Sequence, residues 1–108
     1  MTREFVELPG FRSDWKELGM TDSDLKRLQY ELLMNPEVGD IMQETGGVRK
    51  MRFAFEHRGK SGSIRVVYID FELRERVYLL AAFAKNVQAN LTKAERSNLK
   101  KRGKLLED

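Results

Sequence analysis

The sequence predicts an α+β domain with a short first strand, a two-helix hairpin, a three-stranded antiparallel meander and a final helix, the helices packed on one face of the sheet. Apolar residues recur at helical spacing in residues 11–34 and alternate with polar residues in much of 48–84. Short polar segments around 59–62 and 72–75 separate the apolar runs, which is typical of antiparallel neighbours. With 108 residues, 41% hydrophobic and 34% charged, the chain suits one globular domain, 1–108.

The first part of the chain predicts a strand and two helices. Glu4–Leu8 alternates polar and apolar side chains and is followed by a Pro-Gly turn signal. An apolar stripe of helical period begins at residue 11 and ends at Gly19, a residue that suits the position after a helix. Thr21 and Asp24 have the spacing of a capping box at the start of a second helix, which Asn35-Pro36 terminates. The short link predicts that the two helices form an antiparallel hairpin.

The rest of the chain predicts three strands and a helix. Residues 37–47 come first and are predicted to be irregular, with Val38 and Ile41 as packing anchors. The last of the three strands is apolar on both sides and is therefore expected to be central. A basic helix follows over Thr92–Leu105. The predicted strands are Val48–Phe55, Ser63–Phe71 and Arg76–Ala84.

Charge is distributed unevenly along the chain. Residues 1–45 carry five basic and ten acidic side chains, a net charge of −5, whereas residues 46–108 carry fifteen basic and seven acidic ones, a net charge of +8. Such asymmetry within one small domain predicts a surface that faces a polyanion. The alternative is that the basic side chains only solvate exposed faces.

Several classes of protein are excluded by composition. There are no cysteines, which excludes a disulfide framework and a thiolate metal site. No apolar run approaches the roughly 20 residues of a membrane span, and the charged start of the chain leads into no signal-like apolar segment. A single histidine and the lack of carboxylate clusters argue against paired-histidine and two-metal nuclease sites. We therefore expect a cytoplasmic protein without membrane contact, metal or small-molecule cofactor.

The candidate catalytic residues lie in one basic segment, residues 49–65. Alternation sends Lys50 and Arg52 to one face of their strand, about 7 Å apart, and the adjacent strand brings Arg65. Cations aimed at one point stabilise a phosphate whose charge grows in a pentacoordinate transition state. The alternative is an amphipathic strand with a solvated face, but such faces usually mix charges of both signs. Besides one acid, Glu56, the segment contains Arg49, Lys50, Arg52, Arg58, Lys60 and Arg65.

Short segments spread over most of the chain carry a resemblance to a known family. Lys50-Met51-Arg52 and Gly62–Tyr68 resemble the basic strand and the following Arg- and Tyr-containing strand of RelE-family toxins, within the RelE/ParE superfamily. The segments that resemble its HigB-like branch are Met34–Asp40, Thr45–Lys50, Tyr78–Leu80, Phe83–Asn86 and Asn90–Thr92. The resemblance extends from about Leu25 to Leu99, and it depends on the order and spacing of these segments together.

The resemblance implies a RelE-like fold and the toxin of a type II toxin–antitoxin system, with a cognate antitoxin protein as its partner. It also implies a ribosome-dependent mRNA endonuclease that needs no metal: the 2′-hydroxyl attacks the adjacent phosphate and leaves a 2′,3′-cyclic phosphate and a 5′-hydroxyl. Lys50, Arg52 and Arg65 match cations that hold or polarise the phosphate in the family. The residues predicted to contact RNA or the ribosome are Arg49, Arg58, Lys60, Lys85 and Lys93.

The residues that transfer protons stay open at this point. Asn86 and Thr92 stand where the best-known RelE toxins have an arginine and a tyrosine. Lys50 is a candidate base on the condition that the neighbouring Arg52 and Arg65 favour its neutral form. His57 is another, although a lone histidine in a hairpin loop is more often a surface residue. Two alternatives remain for the whole chain: a ParE-like toxin that inhibits gyrase without cutting RNA, and an inactive basic RNA-binding module.

Overall fold

The structure is a computed structural model that describes residues 2–54, 62–84 and 93–107. In the described part the strands form one sheet in the order β1-β5-β4-β3-β2, with β1 parallel to β5 and the other neighbours antiparallel. The predicted α+β class is confirmed. The elements are β1 Glu4–Glu7, α1 Pro9–Glu17, α2 Asp22–Met34, β2 Asp40–Ile41, β3 Val48–Ala54, β4 Ser63–Phe71, a 3₁₀ turn Glu72–Arg74, β5 Arg76–Ala84 and α3 Lys93–Glu107.

The ends of α1 and α2 follow the local sequence signals. α1 begins at Pro9, which suits the first helical position because its fixed φ is helical and its missing N–H would be unpaired there. Gly19 follows the helix with φ 76°, the left-handed region that glycine adopts without strain. At the start of α2 the Thr21 hydroxyl accepts from the Asp24 amide, and the Asp24 carboxylate accepts from the Thr21 amide, so the predicted capping box is confirmed.

The larger apolar core lies between the sheet and the α1–α2 pair. Trp15 stacks on Phe11 with ring centroids 5.2 Å apart and lies 5.7 Å from the ring of Phe53 on β3. Burying each side chain of this size stabilises the fold by about 1.5–3 kcal/mol. The other core residues are Met20, Leu28 and Leu32 from the helical region, and Met51, Ile64, Val66, Tyr68, Val77, Leu79 and Ala82 from the sheet.

A smaller apolar cluster lies on the other face of the sheet. Leu99 and Leu106 of α3 join it, together with Val67 and Ile69 of β4. Gly103, on the same side of the helix, lies so close to the sheet that an added Cβ would be 3.2 Å from Cδ1 of Ile69. The α1–α2 pair thus occupies one face, as predicted for the helices. α3 differs from that prediction, because its apolar side chains pack on the opposite face of the sheet, which also carries Lys50, Arg52 and Arg65.

Two predictions about single segments differ in outcome. β5 lies between β1 and β4 with Val77–Leu80 buried throughout, as expected for a strand covered on both faces. The prediction that Val38 and Ile41 are packing anchors is wrong, because they are 41% and 57% exposed. The region predicted to be irregular contains the strand β2, which lies at the edge of the described sheet and pairs with β3.

Other predicted features reach beyond the part that the structure describes. The predicted end of the second strand, Phe55, and the predicted start of the last helix, Thr92, lie outside the described residues. Within the described ranges, no helix has the length and apolar character that a membrane crossing requires.

Candidate functional site: a cationic face on two strands

Lys50, Arg52 and Arg65 lie on the same face of two adjacent strands. Arg52 on β3 is directly opposite Arg65 on β4, and Lys50 is opposite Val67, two residues further along β4. Cβ atoms of directly opposed residues are about 4.5–5.5 Å apart, and diagonal neighbours are about 7–8 Å apart. The structure therefore brings together the three residues that the sequence predicts to act on a phosphate; their catalytic role stays a prediction.

Within the part of the chain that the structure describes, the three cations have no ion-pair partner. Arg52 is exposed, while Lys50 and Arg65 are half-buried. None of the three forms an ion pair with any of the residues in 2–54, 62–84 and 93–107. Like charges directly opposite each other on a sheet are unfavourable by about 0.2–1 kcal/mol. A fold that retains such a local conflict typically does so at a functional site.

The guanidinium of Arg65 is held by hydrogen bonds to its own strand. Its Nη1 donates to the Ser63 hydroxyl at 2.9 Å and more weakly to the Ile64 carbonyl at 3.5 Å. These contacts hold one edge of the guanidinium against its own strand. Because a guanidinium has five N–H donors in a rigid plane, the remaining donors can bind phosphate oxygens as a fork.

The cations border an open pocket of about 470 Å³ that also contains a carboxylate. Asp40, on β2, is directly opposite Lys50 and so points to the same face. The sequence alone did not single out Asp40, because a two-residue strand is too short for alternation to be recognised. The residues that line the pocket are Val38, Asp40, Lys50, Met51, Arg52 and Arg65.

The loop before β2 is held by buried hydrogen bonds. The Tyr68 hydroxyl donates to the Pro36 carbonyl at 2.7 Å and accepts from the Gly39 amide at 2.9 Å. Arg49 donates through Nη1 to the Gly39 carbonyl at 2.7 Å. Burial raises the pKa of the Tyr68 hydroxyl, while the hydrogen bond from Gly39 and the charge of Arg49 act in the opposite direction. These contacts place Asp40, the next residue, beside Lys50.

The residues predicted to contact RNA do not form one group. Arg49 alternates onto the face opposite the three cations and is engaged with the loop carbonyls, so the structure does not bring it to the pocket. Lys93 is exposed at the first position of α3. The remaining predicted contacts and proton-transfer positions lie outside the described residues: Arg58, Lys60 and Lys85, and likewise His57, Asn86 and Thr92.

Comparison with known proteins identifies the family. A family described as "RelE toxin of RelE / RelB toxin-antitoxin system" matches residues 13–108. The chain belongs to the RelE toxin family. It is therefore the toxin component of a toxin–antitoxin pair, and an antitoxin is the partner that this membership implies.

A solved structure has the same fold as this RelE-family toxin. A mutant of the E. coli toxin RelE in the free state matches it with a TM-score of 0.60, over 94% of this chain and 98% of that chain, at 15% sequence identity. At this identity the likeness establishes the fold, and it confirms the RelE-like architecture that the sequence resemblance implied.

Proposed function

We propose that this RelE-family toxin is a ribosome-dependent mRNA endonuclease of the HigB-like branch, acting in the cytoplasm without a metal or a small-molecule cofactor. The observation that carries the proposal is the set Lys50, Arg52 and Arg65, which shares one face of two strands around an open pocket. Ribosome and mRNA are its targets, and a cognate antitoxin is its partner.

The cations suit the charge changes of RNA cleavage by the neighbouring 2′-hydroxyl. As the 2′ oxygen attacks phosphorus, negative charge accumulates on the non-bridging oxygens of a pentacoordinate phosphate. Arg65 and Arg52 offer two guanidinium forks from opposed positions, and Lys50 offers an ammonium on a flexible stem. Donors fixed in advance stabilise the developing charge more than they stabilise the ground state, which lowers the barrier.

An aromatic residue beside the cations supports RNA as the substrate class. Phe83 on β5 is directly opposite Arg65 and is half-buried, so it borders the cationic face. Aromatic side chains next to a basic groove are a common platform for nucleobases. Together, the cations and the ring match a substrate with alternating phosphates and flat bases.

The proposal is tested by inducing the toxin and mapping the 5′ ends of cellular transcripts. The wild type should produce new 5′-hydroxyl ends within translated codons and arrest growth, whereas a Lys50→Ala/Arg52→Ala/Arg65→Ala variant should do neither. A matched control removes three exposed cations from the other face of the protein, Arg12→Ala/Lys16→Ala/Lys26→Ala, and should leave cleavage intact.

Two outcomes would overturn the proposal. If the Lys50→Ala/Arg52→Ala/Arg65→Ala variant is as toxic as wild type, the assignment of these three cations as catalytic residues is wrong. Growth arrest with intact transcripts and an early stop in DNA replication would instead favour the gyrase-inhibiting, ParE-like alternative.

A further inference from the structure

The pocket contains a carboxylate that the function proposed above does not use. Asp40 is opposite Lys50 on the edge strand β2 and lines the pocket with the three cations. The charged groups that face it from the packed strands are Lys50 and Arg52 on β3 and Arg65 on β4. An acid at a phosphate-binding surface repels the substrate, so its presence there calls for a role beyond binding.

The position of Asp40 is set by a tightly packed loop. The Gly39 amide and carbonyl are bound by Tyr68 and Arg49, at 2.9 and 2.7 Å. A Cβ added at Gly39 would lie 2.9 Å from Cε1 of Tyr68 and 3.0 Å from the carbonyl oxygen of Lys50, so only glycine fits without displacing its neighbours. Since Tyr68 is fully buried, the residue that follows Gly39 is held on the rigid sheet.

The Asp40 carboxylate has no polar partner in the described ranges 2–54, 62–84 and 93–107. Among the residues that the structure describes, it makes no hydrogen bond and no ion pair, not even with Lys50 directly opposite. A carboxylate whose only task is to neutralise a neighbouring lysine would be expected within salt-bridge distance of it. The oxygens of Asp40 are thus available to a bound substrate.

We propose that Asp40 is the general base that deprotonates the attacking 2′-hydroxyl. This inference rests on the proposed RNA cleavage. A general base must reach the proton that it removes and must be unprotonated when the substrate arrives. Asp40 meets the first condition because it borders the pocket in which Arg52 and Arg65 hold the phosphate.

The reaction step balances with residues of this pocket. A carboxylate oxygen of Asp40 takes the proton of the 2′-hydroxyl. The 2′ oxygen forms a bond to phosphorus as the bond from phosphorus to the 5′ oxygen breaks. The 5′ oxygen takes a proton from the ammonium of Lys50, which gives a 2′,3′-cyclic phosphate and a 5′-hydroxyl. Water then removes the proton from Asp40 and returns one to Lys50, so no other reactant is consumed.

The test compares Asp40→Asn with wild type in single-turnover cleavage of mRNA on purified ribosomes across a range of pH. Loss of a general base should lower the rate by about 10²- to 10⁴-fold. The residual rate should become first order in hydroxide, whereas the wild-type rate depends on pH less steeply. Affinity for the ribosome–mRNA complex should be unchanged or higher, because a repulsive charge is removed. Glu37→Gln, an exposed acid three residues earlier, is the matched control and should behave as wild type.

A substrate with sulfur in place of the bridging 5′ oxygen separates the base from the acid. Because a thiolate leaves without protonation, this substrate should restore cleavage by Lys50→Ala more than cleavage by Asp40→Asn. Rescue of Asp40→Asn would overturn the assignment by placing Asp40 at the leaving group. The assignment also fails if Asp40→Asn binds more weakly but cleaves at the wild-type rate, since Asp40 would then only orient Lys50.

The experiment distinguishes this inference from the proposed function. If the wild-type toxin cleaves mRNA and Asp40→Asn cleaves it with the wild-type rate and pH dependence, the assignment of Asp40 as the base is wrong. The proposal that the toxin is an endonuclease is then unaffected. If wild-type toxin does not cleave mRNA on ribosomes, the endonuclease proposal itself is wrong and the base assignment falls with it.

Discussion

Arg52 and Phe53 are neighbours on β3, yet they lie on opposite faces of the sheet and in opposite environments. Phe53 is fully buried under α1 and α2, with the guanidinium carbon of Arg27 4.0 Å from its ring centroid. Arg52 is exposed and directly opposite another arginine. At these two positions, one face of the strand provides contacts that stabilise the fold, and the other carries charges that oppose it. The same strands can hold the three cations of the candidate site rigidly because their other face is so well packed.

The largest effect is expected on the packed face. Phe53→Ala should lower the free energy of unfolding by about 3–5 kcal/mol, because it removes a buried ring and leaves a cavity among Trp15 and its neighbours. Urea unfolding measures this directly. Cleavage activity should persist under conditions in which the variant is folded, and a specific loss of rate in folded protein would show that the two faces are not separable.

The next effect is expected on the cationic face. Arg65→Ala should lower the single-turnover cleavage rate by about 10²- to 10³-fold, the usual cost of losing one fixed donor to a developing oxyanion. Its free energy of unfolding should change by no more than about 1 kcal/mol, because relief of the repulsion with Arg52 offsets the loss of the hydrogen bond to Ser63. Arg74→Ala, at an exposed turn, is the matched charge control and should leave the rate unchanged. An equal loss of rate in both variants would indicate general electrostatic attraction of RNA instead of a defined site.

Tyr68 connects the two faces, because its ring is in the core and its hydroxyl holds the loop before β2. Tyr68→Phe should lower the free energy of unfolding by about 1–3 kcal/mol, since the Gly39 amide and the Pro36 carbonyl lose a buried partner. It should also slow cleavage by loosening Asp40. Chemical denaturation measures the effect on stability, and single-turnover kinetics measure the effect on cleavage. A free energy of unfolding equal to that of wild type would show that water replaces the hydroxyl in Tyr68→Phe.

The buried hydroxyl also predicts a dependence of stability on pH. Burial raises the pKa of Tyr68 above its usual value of 10.0. The unfolded chain then loses this proton first, so the contribution of Tyr68 is complete below about pH 10 and declines as pH rises toward the folded-state pKa. The stability difference between wild type and Tyr68→Phe should therefore shrink above pH 10. A difference that stays constant to higher pH would contradict this account.

The smallest effect has the opposite sign. Arg52→Ala should raise the free energy of unfolding by about 0.2–1 kcal/mol at low salt, because it relieves the repulsion between directly opposed arginines. The gain should diminish as salt screens the charges. Urea unfolding at two ionic strengths measures it, with Lys26→Ala, a distant exposed cation, as the control. A loss of stability would show that the stem of Arg52 contributes packing that outweighs the repulsion.

Much of the fold was predictable because its signals are local. The capping box at Thr21, the proline at the start of α1 and the period-two pattern of β3 each depend on residues a few positions apart. The alternation that buries Phe53 also places Lys50 and Arg52 on the other face. The short link predicted that the next strand, which carries Arg65, is adjacent, whereas the register that places Arg65 opposite Arg52 came from the structure. These parts of the candidate site could be predicted from sequence for the same reason as the strands.

The tertiary structure decided which distant parts of the chain meet, and local sequence patterns do not contain that information. β2 is only two residues long, and its partner is set by hydrogen bonds that join Pro36 and Gly39 to Tyr68, about thirty positions away. Without that contact, nothing marks Asp40 as a neighbour of Lys50. The placement of α3 on the cationic face likewise depends on Leu99 and Leu106 meeting β4. The sequence by itself determined which strands carry the cations; long-range packing decided which acid stands among them, because contacts distant along the chain leave no periodic pattern in it.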